Sequence, residues 1–396
     1  IHYHLSNQQL AMNNHLIETL QSIYQQYFNE SAAVVFSPGR INLLGEHIDY
    51  NDGFVLPAAI HLGIYAIFAP NDAPSIKIYA KDFDEWLVTD NQTFGPDKSW
   101  KNYVLSVLNQ FHKRGIHVPG FHMVFGSDLP IGSGLSSSAA LEGAISRAVN
   151  HLTGNPFTAK ELALLGQAAE HDYPGVKCGI MDQFANMLGK KDHIVRIDCS
   201  TTDTDYLPIT LHDYSLVLVY SNVQHALTGG EYNERRTQCR QGLDVIEEMT
   251  GKTSFREVTL AELESAGDTL SPTVQMRCRY VVEEIQRTRQ AANYLQEGNL
   301  QKLGELMYQT HDGLSKLYQV SLHELDWLVN FAKAYEGVIG ARLMGGGFGG
   351  CTLNLVATNK ADAFAQAVQT AYQEKFGITA KIYPVNAVDG AHVLIT

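Results

Sequence analysis

The chain has 396 residues, 45% hydrophobic and 18% charged, which suits a globular protein with room for two or three domains. A net charge of −13 argues against sequence-independent nucleic-acid binding, and no apolar run reaches the roughly 18 residues of a membrane span. The five cysteines are odd in number and form no CxxC pair, which reads as a reducing, cytoplasmic setting rather than a disulfide framework.

Residues 1–12 lack the apolar core and basic flank of a signal peptide and read as an added remnant or a disordered N-terminus. A β-rich run then enters "GRINLLGEHIDYNDG" (39–53), where Gly45 and the closing "NDG" favour a loop. "IYAIFAP" and "SIKIYAKDF" read as neighbouring strands, and "FHMVFGSDLP" as a strand that runs into a glycine- and serine-rich loop. A helix is expected from about Ser137 to Leu152, and a second over 158–173, opened by a Thr158/Glu161 capping box and buried through Leu162, Leu165 and Ala169. "HIVRIDCST" and "YSLVLVYSNV" are strands, and the polar "TTDTDYLPITLHD" between them is the best boundary. Residues 231–335 are mostly helical. "GARLMGGGFGGCTLNLVAT" reads as strand, tight turn, strand, followed by a helix over 361–376 and a last strand in "AKIYPVNAV". The expected class is α+β in two domains, 13–210 and 211–396.

The glycine loops differ in specificity. A phosphate-binding P-loop, GxxxxGK[ST], is ruled out at "TGKT" (250–253), because its first glycine would fall on Ile246. "GGGFGG" (345–350) matches GxGxxG, but a β-rich run follows where a dinucleotide site needs a helix; a structural hairpin is the plain alternative. "LPIGSGLSSSAALEGA" (129–144) is more informative. Gly132 and Gly134 permit a tight turn and close approach to a ligand, and Ser136, Ser137 and Ser138 fall at the start of a helix. Free amides there, with the helix dipole, favour phosphate. No GxSxG is present to support a serine hydrolase.

Two carboxylate clusters complete the reading. Residues 39–53 hold Arg40, Glu46, His47, Asp49, Tyr50 and Asp52, a set suited to a polyhydroxylated ligand if it is not a solvated turn. In "AEHDYPGVKCGIMDQFANML" (169–188), Asp182 sits among Ile180, Met181 and Phe184. An acid in such company must be paired, neutral or functional, unless it caps a helix. Arg40 is a candidate partner that would keep it ionised.

Taken in order, "GRINLLGEHIDYNDG", "LPIGSGLSSSAALE", "CGIMDQF", "SNVQHALTGGEYNERR" and "LMGGGFGGCTLNL" resemble the galactokinases of the GHMP small-molecule kinase superfamily, from about residue 33 to the C-terminus. The resemblance implies a cleft between two α/β domains, closed over by the GGGFGG hairpin. The implied reaction is ATP- and Mg²⁺-dependent phosphorylation of the C1 hydroxyl of galactose, the entry step of galactose catabolism. Asp182 matches the catalytic aspartate and Arg40 its arginine partner. Glu46, His47, Ile48, Asp49, Gly179 and Tyr232 match the sugar-binding set. Ile48 stands where many relatives carry threonine, and its side chain is expected to face away. Gly132, Ser133, Gly134, Leu135, Ser136, Ser137 and Ser138 match the ATP phosphate loop. Ser138 and Glu170 match the Mg²⁺ ligands, and Trp100 an aromatic near adenine. The implied partners are galactose and Mg-ATP, with no nucleic acid or membrane, and the implied state is a cytoplasmic monomer. The rivals are an N-acetylgalactosamine kinase, a mevalonate or homoserine kinase lacking the Glu46-His47-Asp49 set, a catalytically silent sugar sensor, and an NAD-dependent dehydrogenase that fails on context.

Overall fold

The structure is a computed structural model that describes residues 7–90, 94–97, 99–130, 132–224 and 230–394. Helix α1 (Asn7–Phe28) begins inside the stretch expected to be disordered, so residues 7–12 are helical. Leu20 and Tyr24 dock it on Val34, Tyr65, Ile67 and Val124, and once a helix is docked each further turn is cheap to add. Residues 1–6 lie outside the described residues.

Strand β1 (Ala33–Asn42) runs through Pro38 and Gly39 with an irregularity between Pro38 and Arg40, then the signature loop leads to β2 (Phe54–Val55) and β3 (Pro57–Pro70). Strand β3 is buried along nearly its whole length, because both faces of its sheet are covered. Next come β4 (Ser75–Ala80), β5 (Glu85–Asp90), α2 (Trp100–Lys113), β6 (Phe121–Ser127), α3 (Ser137–Leu152), α4 (Ala159–Asp172), α5 (Met181–Leu188), β7 (His193–Asp198) and β8 (Thr204–Pro208).

The second half contains β9 (Tyr214–Gln224), α6 (Gly230–Thr250), α7 (Leu260–Ser265), α8 (Pro272–Gln296), α9 (Leu300–Asp312), α10 (His323–Ala334), β10 (Val338–Leu343), β11 (Gly349–Ala357), α11 (Ala361–Phe376), β12 (Lys381–Val385) and β13 (His392–Leu394). A six-stranded sheet runs β13-β1-β3-β6-β4-β5, a three-stranded one β2-β7-β8, and a four-stranded antiparallel one β10-β11-β9-β12.

Three expectations change. First, β3 and β4 are not neighbours: β6 lies between them, antiparallel to β3 and parallel to β4. The Asn71 side chain bonds Ala73 N and Ser75 O, and Gly120 O, just before β6, takes the Asn71 N–H, so the chain turns away from a hairpin. Second, the polar stretch 201–213 contains β8, which pairs with β7. Third, the chain does not finish in the second sheet. After β12 it bridges Ile60 through Ala387 and adds β13 to the edge of β1.

Helices α3 and α4 begin close to where they are expected, and Thr158 and Glu161 form the reciprocal box at the head of α4, whereas Ser136 makes no side-chain cap on α3. Among the described residues no helix is long and apolar enough to cross a membrane.

Candidate active site

The phosphate loop is shaped by its backbone. Gly132 (φ +70°), Gly134 (φ +75°) and Ser136 (φ +62°) are left-handed, alternating with Ser133 and Leu135, which are not. Such alternation turns successive N–H groups toward one side, ready for an anion. Ser136 stands at the head of α3, whose free amides add to the effect. The Ser133 hydroxyl is buried without a partner. Leu135 is buried, and its carbonyl accepts the Arg40 N–H at 3.1 Å, which joins the loop to the signature strand. Ser137 is exposed at the first turn, and Ser138 hydrogen-bonds Glu170. Ile131 lies outside the described residues.

Beside this loop Arg40 and Asp182 form a two-pronged ion pair, Nε to Oδ1 at 2.9 Å and the second guanidinium nitrogen to Oδ2 at 3.1 Å. Arg40 also donates to the Gly134 carbonyl, and the Ser136 hydroxyl donates to Asp182 Oδ2. Burial alone would lower the Arg40 guanidinium, but Asp182, Glu46 and Asp49 outweigh it and hold it above its ordinary value. Asp182 is the second residue of α5; Ile180, not Asp182, occupies the capping position.

The signature residues gather on the other side. Arg40, Glu46, His47, Asp49, Cys178, Gly179, Met181, Asp182, Tyr232, Gly345 and Gly346 line one cleft of about 360 Å³ that opens to solvent. Glu46 accepts from Arg342 at 2.6 Å and from Gly345 N at 2.8 Å, both on Oε1. Burial raises its carboxyl, and Arg342 and Arg40 oppose that. His47 is held at φ +60°, with Nδ1 2.8 Å from the Tyr50 hydroxyl and Nε2 3.1 Å from the Gly346 carbonyl. Burial lowers it to about 4, so it is neutral at physiological pH. Burial, then Asp182 and Glu46, raise Asp49 to about 7. Gly179 leaves room for Asp49, and the Tyr232 ring lies 5.3 Å from that of His47. The Ile48 side chain packs beside Gly53 in the core and does not line the cleft.

Behind Asp182, Gln183 Nε2 donates to Glu170 at 2.7 Å and to Glu142 at 3.1 Å. Burial and Asp182 raise Glu170 to about 7; burial and Glu170 hold Glu142 well above the carboxylate range, and Glu142 Oε1 is buried without a partner. Among the described residues no three His, Cys, Asp or Glu side chains converge as a metal cage. A hydroxyl and a carboxylate beside a phosphate loop instead suit magnesium, which takes few protein ligands and completes its shell with phosphate and water.

Trp100 heads α2 and is turned into the first domain, with its indole N–H on Glu85 at 3.1 Å and its ring 5.4 Å from that of Phe125. It is not among the cleft-lining residues. Of "SNVQHALTGGEYNERR", residues 225–229 lie outside the described residues.

Sequence reasoning missed Arg342. It is fully buried on β10 and donates to Asn42 O, Leu43 O and Leu343 O as well as to Glu46. The signal was there: a lone cation in the apolar "GARLMGGG" needs a partner as much as Asp182 does.

Comparison with known proteins agrees with this geometry. The model for the GHMP kinases N terminal domain matches residues 102–190, that for the GHMP kinases C terminal 291–374, and the galactokinase galactose-binding signature 22–70. A galactokinase of Thermotoga neapolitana is 38% identical over 356 residues, 90% of this chain and 98% of its own. One from Clostridium acetobutylicum is 37% identical over 385 residues, 96% and 98% of the two chains. The crystal structure of Lactococcus lactis galactokinase complexed with galactose superposes with a TM-score of 0.92 at 34% identity, covering 96% of this chain and all of that one. A mevalonate kinase of Methanococcus jannaschii, 20% identical at a TM-score of 0.63, shares the fold. With the family models, the sequence relatives and the cleft in agreement, the chain belongs to the galactokinase family of the GHMP kinases.

Proposed function

We propose that the cleft phosphorylates galactose at C1, with Asp182 and Arg40 as the catalytic pair. The activity is that of a galactokinase, a phosphotransferase with ATP as phosphoryl donor and an alcohol as acceptor. The observation that carries the assignment of roles is the position of Asp182. It is bonded at once to Arg40 and to Ser136 of the phosphate loop, and it lines the same cleft as Glu46, His47 and Asp49.

The sugar is held by Glu46, His47, Asp49 and Tyr232. Both hydrogen bonds to the Glu46 carboxylate fall on Oε1, which leaves Oε2 for a hydroxyl. His47, kept neutral, offers hydrogen-bonding ring nitrogens to the site rather than a charge. Asp182 faces the C1 hydroxyl and receives or orients its proton as the C1 oxygen bonds to the γ-phosphorus. The bond from that phosphorus to the bridging oxygen breaks, and ADP leaves. Arg40 holds the Asp182 carboxylate in place through two hydrogen bonds and sets a fixed positive charge where negative charge spreads over the transferring group. The loop amides from Gly132 to Ser138 cradle the phosphates. Glu170 and Ser138 would hold magnesium, which would neutralise phosphate charge. The raised Glu170 and the orphaned Glu142 oxygen mark a place with more negative charge than its protein partners balance.

The test is galactose-dependent ADP release from Mg-ATP with identification of the phosphorylated carbon. Phosphate on C1 is expected. Binding of both ligands without turnover would instead indicate a sugar sensor.

A further inference from the structure

Tyr318 is not among the residues that line the cleft described above, yet its hydroxyl is built into the site. Tyr318 is fully buried and ends a π-helical turn, Gly313–Tyr318, that follows α9 directly. Arg235 Nε donates to the Tyr318 carbonyl at 2.9 Å and its terminal nitrogen to the Gln319 carbonyl at 2.9 Å; Arg277 donates to Leu317 O. The ring packs on Tyr280 at 4.7 Å and on His47 at 4.9 Å between centroids. A phenylalanine would fill the same space, so the hydroxyl has a separate use.

That use follows from the one group in its hydrogen-bond chain that can only accept. The Gly346 carbonyl lies 3.1 Å from His47 Nε2, so Nε2 carries the proton. Nδ1 is then bare, and the Tyr50 hydroxyl, 2.8 Å away, must donate to it. The Tyr50 oxygen therefore accepts, and its neighbour at 2.9 Å, the Tyr318 hydroxyl, must donate. The Tyr318 oxygen accepts in turn from the Cys239 thiol at 3.2 Å. Burial pushes that thiol up to about 11, so it stays protonated and serves as the outer donor. Every proton in the chain is placed. It runs from α6 through the π-helical turn to the signature loop and ends on the glycine hairpin.

We propose that Tyr318 is a positioning residue for galactose: through Tyr50 it holds the His47 ring in the orientation and tautomer that the Gly346 carbonyl selects. The inference rests on the reading of His47 as a sugar-binding residue. The other tautomer would set two lone pairs, Nε2 and Gly346 O, against each other, and the ring would turn away from its place in the cleft. His47 holds a left-handed backbone conformation unusual for a non-glycine residue, so its geometry must be imposed by neighbours.

Steady-state kinetics and ¹⁵N-histidine spectra of Tyr318→Phe, Tyr50→Phe and His47→Gln test this. Y50F is expected to raise the galactose KM about tenfold and Y318F about threefold to tenfold, the range for the net contribution of one hydrogen bond. In both, kcat and the ATP KM should stay within about twofold, a split that general loosening of the fold would not give. The His47 Nδ1 signal, identified by its loss in H47Q, should shift in Y50F, where the hydrogen bond it accepts is lost, and in the same direction but by less in Y318F. If H47Q raises the galactose KM while Y318F leaves both the KM and the His47 signals unchanged, the proposal is overturned and the His47 reading stands. An unchanged galactose KM in H47Q overturns the reading itself. Should Y318F not fold, Y50F carries the same test, and unchanged KM and signals there overturn the chain.

Discussion

A Cβ at position 179 would stand 2.0 Å from Asp49 Oδ2, closer than any real contact allows. Gly179 is thus required by the sugar side of the cleft rather than by its own backbone. Gly179→Ala is expected to raise the galactose KM at least tenfold while the ATP KM and the melting temperature stay near wild type; an unchanged galactose KM would remove Asp49 from the sugar set. At this scale the chemistry was legible wherever a charged residue sat in apolar company. Asp182 stood out on that ground, and its partner is the arginine the sequence offered, 142 positions away. Arg342 carried the same signal and went unread, because its partners come from Asn42, Leu43 and Glu46 on a distant segment. Tyr318 could not be found at all. A tyrosine in a helical stretch is ordinary, and only the fold shows that its hydroxyl meets Tyr50.

Among the elements, the phosphate loop and the glycine hairpin act as one body. A Cβ on Gly345 would meet Gly134 O at 2.8 Å, and one on Gly350 would meet Ser133 O at 2.8 Å. Both hairpin glycines also have positive φ, at +80° and +88°. Side chains on either turn would push apart the two backbones that form the site. Gly345→Ala is expected to lower kcat/KM for both substrates more than tenfold, because Gly345 N also holds Glu46. The check is paired kinetics for galactose and ATP; an effect on one substrate alone would contradict the joint role. Helices were the most legible elements, since a capping box such as Thr158/Glu161 is a local signal that the fold keeps. Strand order was less so. Sequence proximity suggested β3 beside β4, but β6 enters between them after a helical crossover, and nothing local records that.

For the molecule as a whole, the cleft depends on how its halves are tied together. Arg342, on the second sheet, bonds two backbone carbonyls of the first half and the Glu46 carboxylate, all out of water. Arg342→Met would leave Glu46 buried without its ion-pair partner, with an expected loss of about 3–5 kcal/mol in unfolding free energy, to be read from urea denaturation. A loss under about 1 kcal/mol would show that the clasp is not needed for stability. The expected boundary near residue 210 rests on a polar, turn-rich stretch, which holds β8. The return of β13 to the first sheet was not legible, because three residues at the end of the chain carry too little pattern to show which edge they join.

The claim on which the rest depends is that Asp182 acts in phosphoryl transfer and not in holding the sugar or the fold. The most direct measurement is kcat for Asp182→Asn, with galactose affinity of the same protein measured by calorimetry. The predicted result is a loss of kcat by at least about a thousandfold with galactose affinity within about tenfold of wild type. Turnover near that of wild type would contradict it.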